Sequence, residues 1–260
     1  MINFFRRIRK QLLAGGKFSK YLPYAFGEIV LVVIGILIAL QLNNWRENQI
    51  AREKEVQIYK ELKSDLQQTQ NDIKETIELH REALQYNQKL IFYIHDKVPL
   101  SDSVYNSFVS SSTDYQIIPK TSAFENLKNI GLNTLTNDSL RISLTNLFQL
   151  DLKRLDDELG MAATDFSFSQ TLFPYQNRYI NADLDLPMTY TFQHADSITV
   201  YRLGIINYDQ FLADNDLLRN LQLTLYGRSL VVDEEVNTLI KVKKAIYDID
   251  EELKSLGAVK

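Results

Sequence analysis

The chain has 260 residues, with 29 Lys and Arg, 33 Asp and Glu, 9 Gly, 5 Pro and no Cys. That length suits one domain, or two small ones, with a real core. The lack of Cys excludes a disulfide scaffold, a thiol nucleophile and a Cys-ligated metal, and the net charge of −4 argues against a general nucleic-acid binder. Gly and Pro fall below their usual shares of roughly 7% and 5%, so turns are few and a many-stranded sandwich or barrel is not expected.

Residues 1–23 carry Arg6, Arg7, Arg9, Lys10, Lys17 and Lys20 and no acid. The segment from Ala25 to Leu42 then turns apolar, without a single polar residue between Ile29 and Leu40. As a helix, Leu22 to Leu42 covers about 31 Å, the thickness of a bilayer core. Tyr21 and Tyr24 flank one end and Trp45 the other, where amphipathic aromatics prefer to sit. The run ends in Ala39-Leu40-Gln41-Leu42-Asn43, with no small-x-small cleavage site, so it reads as an uncleaved signal anchor. The expected organisation is a basic cytoplasmic N-terminus (1–21), a transmembrane segment (22–43) and a periplasmic domain (44–260), with the span in the inner membrane. A short basic N-terminus stays inside, and a long C-terminal domain translocates largely regardless of its charge.

Two features mark the span. Glu28 is an ionisable group roughly 9 Å in from Leu22; either it is accommodated near the interface or it has a specific role, as intramembrane charges often do. Gly27, Leu31, Gly35 and Ala39 recur every four residues, and Gly35 to Ala39 forms a small-xxx-small motif that permits close helix approach in lipid. The stripe reads as a homodimer seam with Glu28 hydrogen-bonded across it, or as chance, because Gly and Ala are common in spans.

The stretch MINFFRRIRKQLLAGGKFSKYLPYAFGEIVLVVIGILIALQLNNW resembles the N-terminus of a large family of uncharacterised single-span membrane proteins from Bacteroidota. The resemblance is close over residues 1–47, and Thr121 to Leu144 looks like that family's second recurrent stretch. It implies a bacterial envelope location and the anchor topology. It implies no activity and no catalytic residue.

Beyond Trp45 the pattern becomes amphipathic. Val56, Tyr59, Leu62, Leu66, Ile73, Ile77, Leu84, Ile91 and Ile94 step by three, four or seven, a helical stripe with mixed charges beside it. No Gly or Pro lies between Gly35 and Pro99, so span and stripe are expected to form one helix, about 90 Å from Leu37 to Asp96. Arg52, Lys63, His80 and Asn87 fall near the stripe and dilute a coiled coil, which favours packing within a bundle. Residues 96–121 read as a loop with a short helix around Asp102–Ser110. Ser122-Ala123-Phe124-Glu125 is a capping box opening a short helix that Gly131 ends. Asn137-Asp138 caps the next helix, which Leu140, Leu144, Leu147, Leu155, Leu159 and Phe166 carry towards Pro174. Residues 175–208 read as a long loop with short strands, extended over Met188–Phe192. From Asp214-Asn215-Asp216 a last helix runs to about Leu256, lined by Leu217, Leu221, Leu225, Leu230 or Val231, Val236, Ile240, Ile246, Ile249 and Leu253. The expected fold class is all-α: a transmembrane helix continuing into an antiparallel bundle with long loops.

Chemistry is sparse. The three His, at 80, 95 and 194, lie in no His-Glu-x-x-His, and none follows a Glu by three as a di-iron bundle requires. His80, with Glu78 and Glu82 nearby, reads as a polar edge residue. No phosphate loop, dinucleotide fingerprint or nucleophile elbow occurs. Asp183-Leu-Asp185, Asp214-Asn-Asp216 and Asp248-Ile-Asp250 lack the glycine and distal Glu of a calcium loop. No catalytic residue, cofactor or metal is therefore expected. The leading functional reading is a structural or interaction protein with an unknown envelope partner. A sensory or ligand-binding subunit comes second, and an enzyme third.

Asp102-Ser103-Val104, Asp138-Ser139-Leu140 and Asp196-Ser197-Ile198 resemble the Asp-Ser-aliphatic sites of O-glycosylated envelope proteins in such bacteria; ordinary turn chemistry explains them as well. Modification of Ser103, Ser139 and Ser197 would raise the intact mass of protein from its native host, and a bare-chain mass would remove the idea. For the seam, Gly35→Ile should abolish self-association of the isolated span in a membrane reporter assay. An unchanged signal would sink it.

Overall fold

The computed structural model describes residues 18–157, 167–191, 193 and 196–258, which fall into two units, Met1–Val56 and Gln57–Lys260. Helix α1 (Phe18–His95) is unbroken and contributes to both. In the first unit every residue from 26 to 54 is exposed. An 18-residue window of α1 has a mean hydropathy of 2.2 with none of it buried, long and apolar enough to cross a membrane.

The second unit begins with the rest of α1 and continues through α2 (Asp102–Ser110), α3 (Ser122–Ile130), α4 (Asp138–Asn146), a π-helical turn (Leu147–Asp151) and α5 (Leu152–Asp157). Then come α6 (Phe168–Tyr179), strands β1 (Ile180–Tyr190) and β2 (Ile198–Ile205), α7 (Tyr208–Ala213) and α8 (Asn215–Ser255). Helices α1 and α8 run antiparallel, because Lys63 pairs with Asp250 while His80 meets Arg228.

Several boundaries follow from local rules. Gly131, at φ 105°, ends α3, in a backbone conformation that L side chains rarely adopt. Asn137 accepts from the Leu140 N–H and Asp214 from the Leu217 N–H, each an N-cap. The capping box at Ser122 does not form. Glu125 pairs instead with Lys128, and the α3 N-terminus is held from across the bundle, the Ala123 N–H donating to Asp65 Oδ2 at 2.8 Å. Asp65 is one of three acceptors in a row on α1. Thr69 Oγ1 takes the Lys120 N–H and Asp72 Oδ2 the Ile118 N–H, both at 2.9 Å, so one face of α1 holds the backbone of 118–123.

The fold is not purely all-α. Strands β1 and β2 form a two-stranded antiparallel sheet, Ile180 pairing with Ile205 and Tyr190 with Ile198. Alternation of Leu184, Leu186, Met188 and Tyr190, and the β-branched content of Ile198 to Ile205, favour extended chain. Pro187 is accommodated because the register shifts between Asp183 and Pro187, a bulge where the missing N–H costs little. The expected single helix from Asn137 to Pro174 is also divided. It passes through the π turn to Asp157, and a new helix, α6, begins with Ser167 as N-cap and carries Pro174 in its interior. Leu159 and Phe166 lie outside the described residues.

The core has two apolar ends. One gathers Leu90, Ile94, Phe108, Leu172, Tyr179 and Phe211, with Phe108 and Tyr179 packed edge-on to the Phe211 ring at 5.1 and 5.4 Å. The other includes Leu62, Leu66, Ile73, Leu144, Val242 and Ile249, and near it Phe124 stacks on Phe148 at 4.6 Å. Between them, polar residues join the buried set on both helices: Thr76, His80 and Asn87 on α1, and Thr224, Arg228, Glu235 and Thr238 on α8.

Candidate functional site

On α1 the buried positions Leu62, Leu66, Thr69, Ile73, Thr76, His80, Ala83, Asn87, Leu90 and Ile94 advance by four and three, with Ile77 buried beside them. This is a heptad seam. His80 and Asn87 therefore do not lie beside the stripe; they occupy it. On α8 the buried set passes from Leu221 through Thr224, Arg228, Val232, Glu235 and Thr238 to Val242, whereas Leu230 and Ile240, expected to line the helix, are exposed.

His80, Arg228 and Glu235 meet at the middle of this seam, with 2%, 0% and 1% of their surface exposed. His80 is thus a core residue, not the polar edge residue expected from its sequence neighbours. Arg228 Nη1 donates to His80 Nδ1 at 3.0 Å. A guanidinium cannot accept, so the neutral imidazole must carry its proton on Nε2, which faces Glu235 Oε1 at 3.4 Å. Arg228 Nη2 donates to the main-chain carbonyls of Ser111 and Thr113 at 3.1 and 2.9 Å. The guanidinium carbon lies 4.1 Å from the centre of the Phe168 ring, a desolvated cation–π contact. Tyr115 meets His80 edge-on at 5.2 Å.

Asp114 completes the centre. Its carboxylate accepts the Phe168 and Ser169 N–H groups at 2.9 and 3.2 Å and the Ser167 hydroxyl at 2.7 Å. It thereby caps α6, where the helix dipole favours an anion. Sequence reasoning missed Arg228, Glu235 and Asp114. The available signal was the seven-residue spacing of Ile73, His80 and Asn87, matched by that of Leu221, Arg228, Glu235 and Val242.

Burial sets the charge states. Loss of water, with Arg228 adding to it and Asp114 opposing, holds His80 down at about 4. Burial pushes Glu235 up to about 8 against the pull of Arg228. It lowers Arg228 to about 10, against Asp114, Tyr115 and Glu235. At neutral pH the centre therefore holds a neutral His80, a mostly protonated Glu235 and a cationic Arg228 balanced by Asp114.

The span residues Gly27, Glu28, Leu31, Gly35 and Ala39 are all exposed on α1, and a Cβ added at Gly27 or Gly35 would meet nothing within 4 Å. Ser103 and Ser139 are exposed in the first turns of α2 and α4, and Ser197 is exposed just before β2. His95 is exposed beside Asp96, and His194 lies outside the described residues. Asp214 caps α8 as expected, Asp183 takes the Asp185 N–H, and Asp248 and Asp250 pair with Lys244 and Lys63. Among the described residues no group of three or more His, Asp or Glu is arranged to hold a metal ion.

A second feature is open to solvent. The hairpin β1–β2 and helix α2 enclose a trough of about 770 Å³, lined by Tyr105, Met188, Tyr190, Val200 and Leu203 and crossed by the Asp102–Arg202 ion pair.

A model of a family of unknown function, DUF6090, matches residues 28–171. The chain belongs to this family. No characterised protein and no solved structure matches it. The DUF6090 stretch contains Glu28, His80, the Ser111–Tyr115 loop and Phe168, and ends before the hairpin and before Arg228 and Glu235.

The charge centre has a pH signature. Folded Glu235 keeps its proton to about 8 and unfolded Glu loses it near 4.5, so its contribution falls as pH rises between those values. His80 acts oppositely, its contribution rising with pH between about 4 and 6.5. The two offset each other below 6.5 and only the Glu235 effect remains above it. Between pH 6.5 and 8 the protein should lose about 2 kcal/mol relative to Glu235→Gln. Denaturant unfolding of both proteins across that range checks this; parallel profiles would contradict it.

Proposed function

We propose that the chain is a membrane-anchored helical interaction protein of a bacterial cell envelope. Residues 1–21 would lie in the cytoplasm, residues 22–43 in the inner membrane and residues 44–260 in the periplasm. The observation that carries this reading is the exposed apolar face of α1. From Phe26 to Leu42 the large apolar side chains are exposed on every side of the helix, which water does not tolerate over such a length and lipid does. The basic prelude, the aromatic flanks and the resemblance to single-span Bacteroidota proteins support the orientation. A non-enzymatic role is supported by the seclusion of the charge centre, whose shifted groups no substrate can reach.

A sensory subunit is the second reading, favoured by the continuity of one helix, α1, from the apolar segment into the buried seam. Such a subunit would act through a membrane partner.

Alkaline phosphatase and a fluorescent protein fused separately to the C-terminus distinguish the two sides of the membrane. Phosphatase activity without fluorescence, and retention in the membrane pellet after carbonate extraction, are expected. Fluorescence without phosphatase activity would reverse the orientation, and release by carbonate would overturn the anchor.

A further inference from the structure

The hairpin joins the apolar core at its base, where Ile180 and Ile205 reach the cluster around Phe211. Beyond it every residue from Asp183 to Tyr190 is exposed. The opposed pairs Met188–Val200 and Tyr190–Ile198 share one face of the ribbon, and this face turns towards α2 across the trough. A two-stranded ribbon with an uncovered apolar face is marginal in water. Such a ribbon is stabilised when a partner covers that face.

The charges around the trough indicate the kind of partner. Arg202 is already neutralised by Asp102. Asp183 lines the continuation of the trough towards Leu186, Asp185 sits in the same bulge, and neither takes part in an ion pair among the described residues. Asp183 lies opposite Arg202 in the strand pairing, so Asp102, Asp183 and Asp185 stand against one Arg and the net charge at this apolar surface is negative. An anionic bilayer surface would be repelled. A second copy docking by two-fold symmetry would bring together two surfaces of the same negative sign. A trough open along its length does not bury a small molecule as ligand sites do. An extended chain fits, since alternate side chains of a strand point to opposite sides: one apolar set lies on the floor, and the long stems of Lys or Arg in the other set reach back to the carboxylates beside it.

We infer that the trough between α2 and the hairpin binds an extended segment of a partner protein in which aliphatic residues alternate with Lys or Arg. This deepens the interaction reading above and rests on it.

The test uses the full chain in phosphatidylcholine nanodiscs, titrated with a fluorescein-labelled octapeptide of alternating Val and Lys and with its Val–Glu counterpart, followed by anisotropy. The Val–Lys peptide should bind and the Val–Glu peptide should not. Met188→Lys should weaken binding about tenfold. The double substitution Asp183→Asn with Asp185→Asn, at exposed positions that leave the hairpin packing untouched, should weaken it several-fold and flatten its salt dependence. Equal binding of both peptides, or binding unchanged in the double variant, would overturn the proposal. So would self-association of the chain that Met188→Lys abolishes, or hairpin-dependent attachment to phosphatidylglycerol vesicles. Loss of peptide binding leaves the anchoring reading standing, because the fusion and extraction assays judge that separately.

Discussion

A guanidinium with no exposed surface governs the second unit. Removing a charge from water costs several kcal/mol even after relaxation, and only close, well-directed partners offset it. Arg228 has three elements to supply them: α1 through His80, the loop after α2 through the Ser111 and Thr113 carbonyls, and α6 through the Phe168 ring. Each contact ties a separate element to α8, and the loop has the least apolar packing of the three. The loop from 111 to 121 has no regular structure of its own, yet it is held at one end by Arg228 and at the other by Asp65, Thr69 and Asp72.

The same constraint sets the axial register of α1 on α8. Two apolar cores alone would tolerate a slide, since Leu, Ile and Val interdigitate in several ways. A slide of one turn, about 5.4 Å, would take His80 away from Arg228 and leave a buried cation facing apolar side chains. The polar centre thus adds little to net stability but singles out one alignment, as a lone polar residue does in a coiled-coil seam.

How much of this was legible in the sequence depended on how local the cause was. Asp102–Ser110, Gly131, Asn137 and Asp214 obey rules that act within one turn of chain, and each sits where its residue type predicts. Ser122 fails because a distant residue, Asp65, takes the Ala123 N–H, 58 positions along the chain, and with it the capping role. The hairpin carried a period-two signal in Leu184, Leu186, Met188 and Tyr190, but Pro187 argued against a strand, and only the pairing with β2 shows that it falls at a bulge. The charge centre was hidden for a different reason. Tracing apolar residues loses phase where the core itself is polar, so the stripe on α8 drifted onto Leu230 and Ile240, which face water. The fixed seven-residue step would have kept it.

Two of the bonds that hold Arg228 end on peptide carbonyls, which every amino acid possesses. Thr113 accepts from the guanidinium through its main chain while its side chain points to solvent. Position 113 can therefore drift freely among relatives while its contact with Arg228 persists. Side-chain identity would betray the centre only at positions such as 80, 114, 168 and 228, and a comparison of sequences would underestimate how many segments are tied to it.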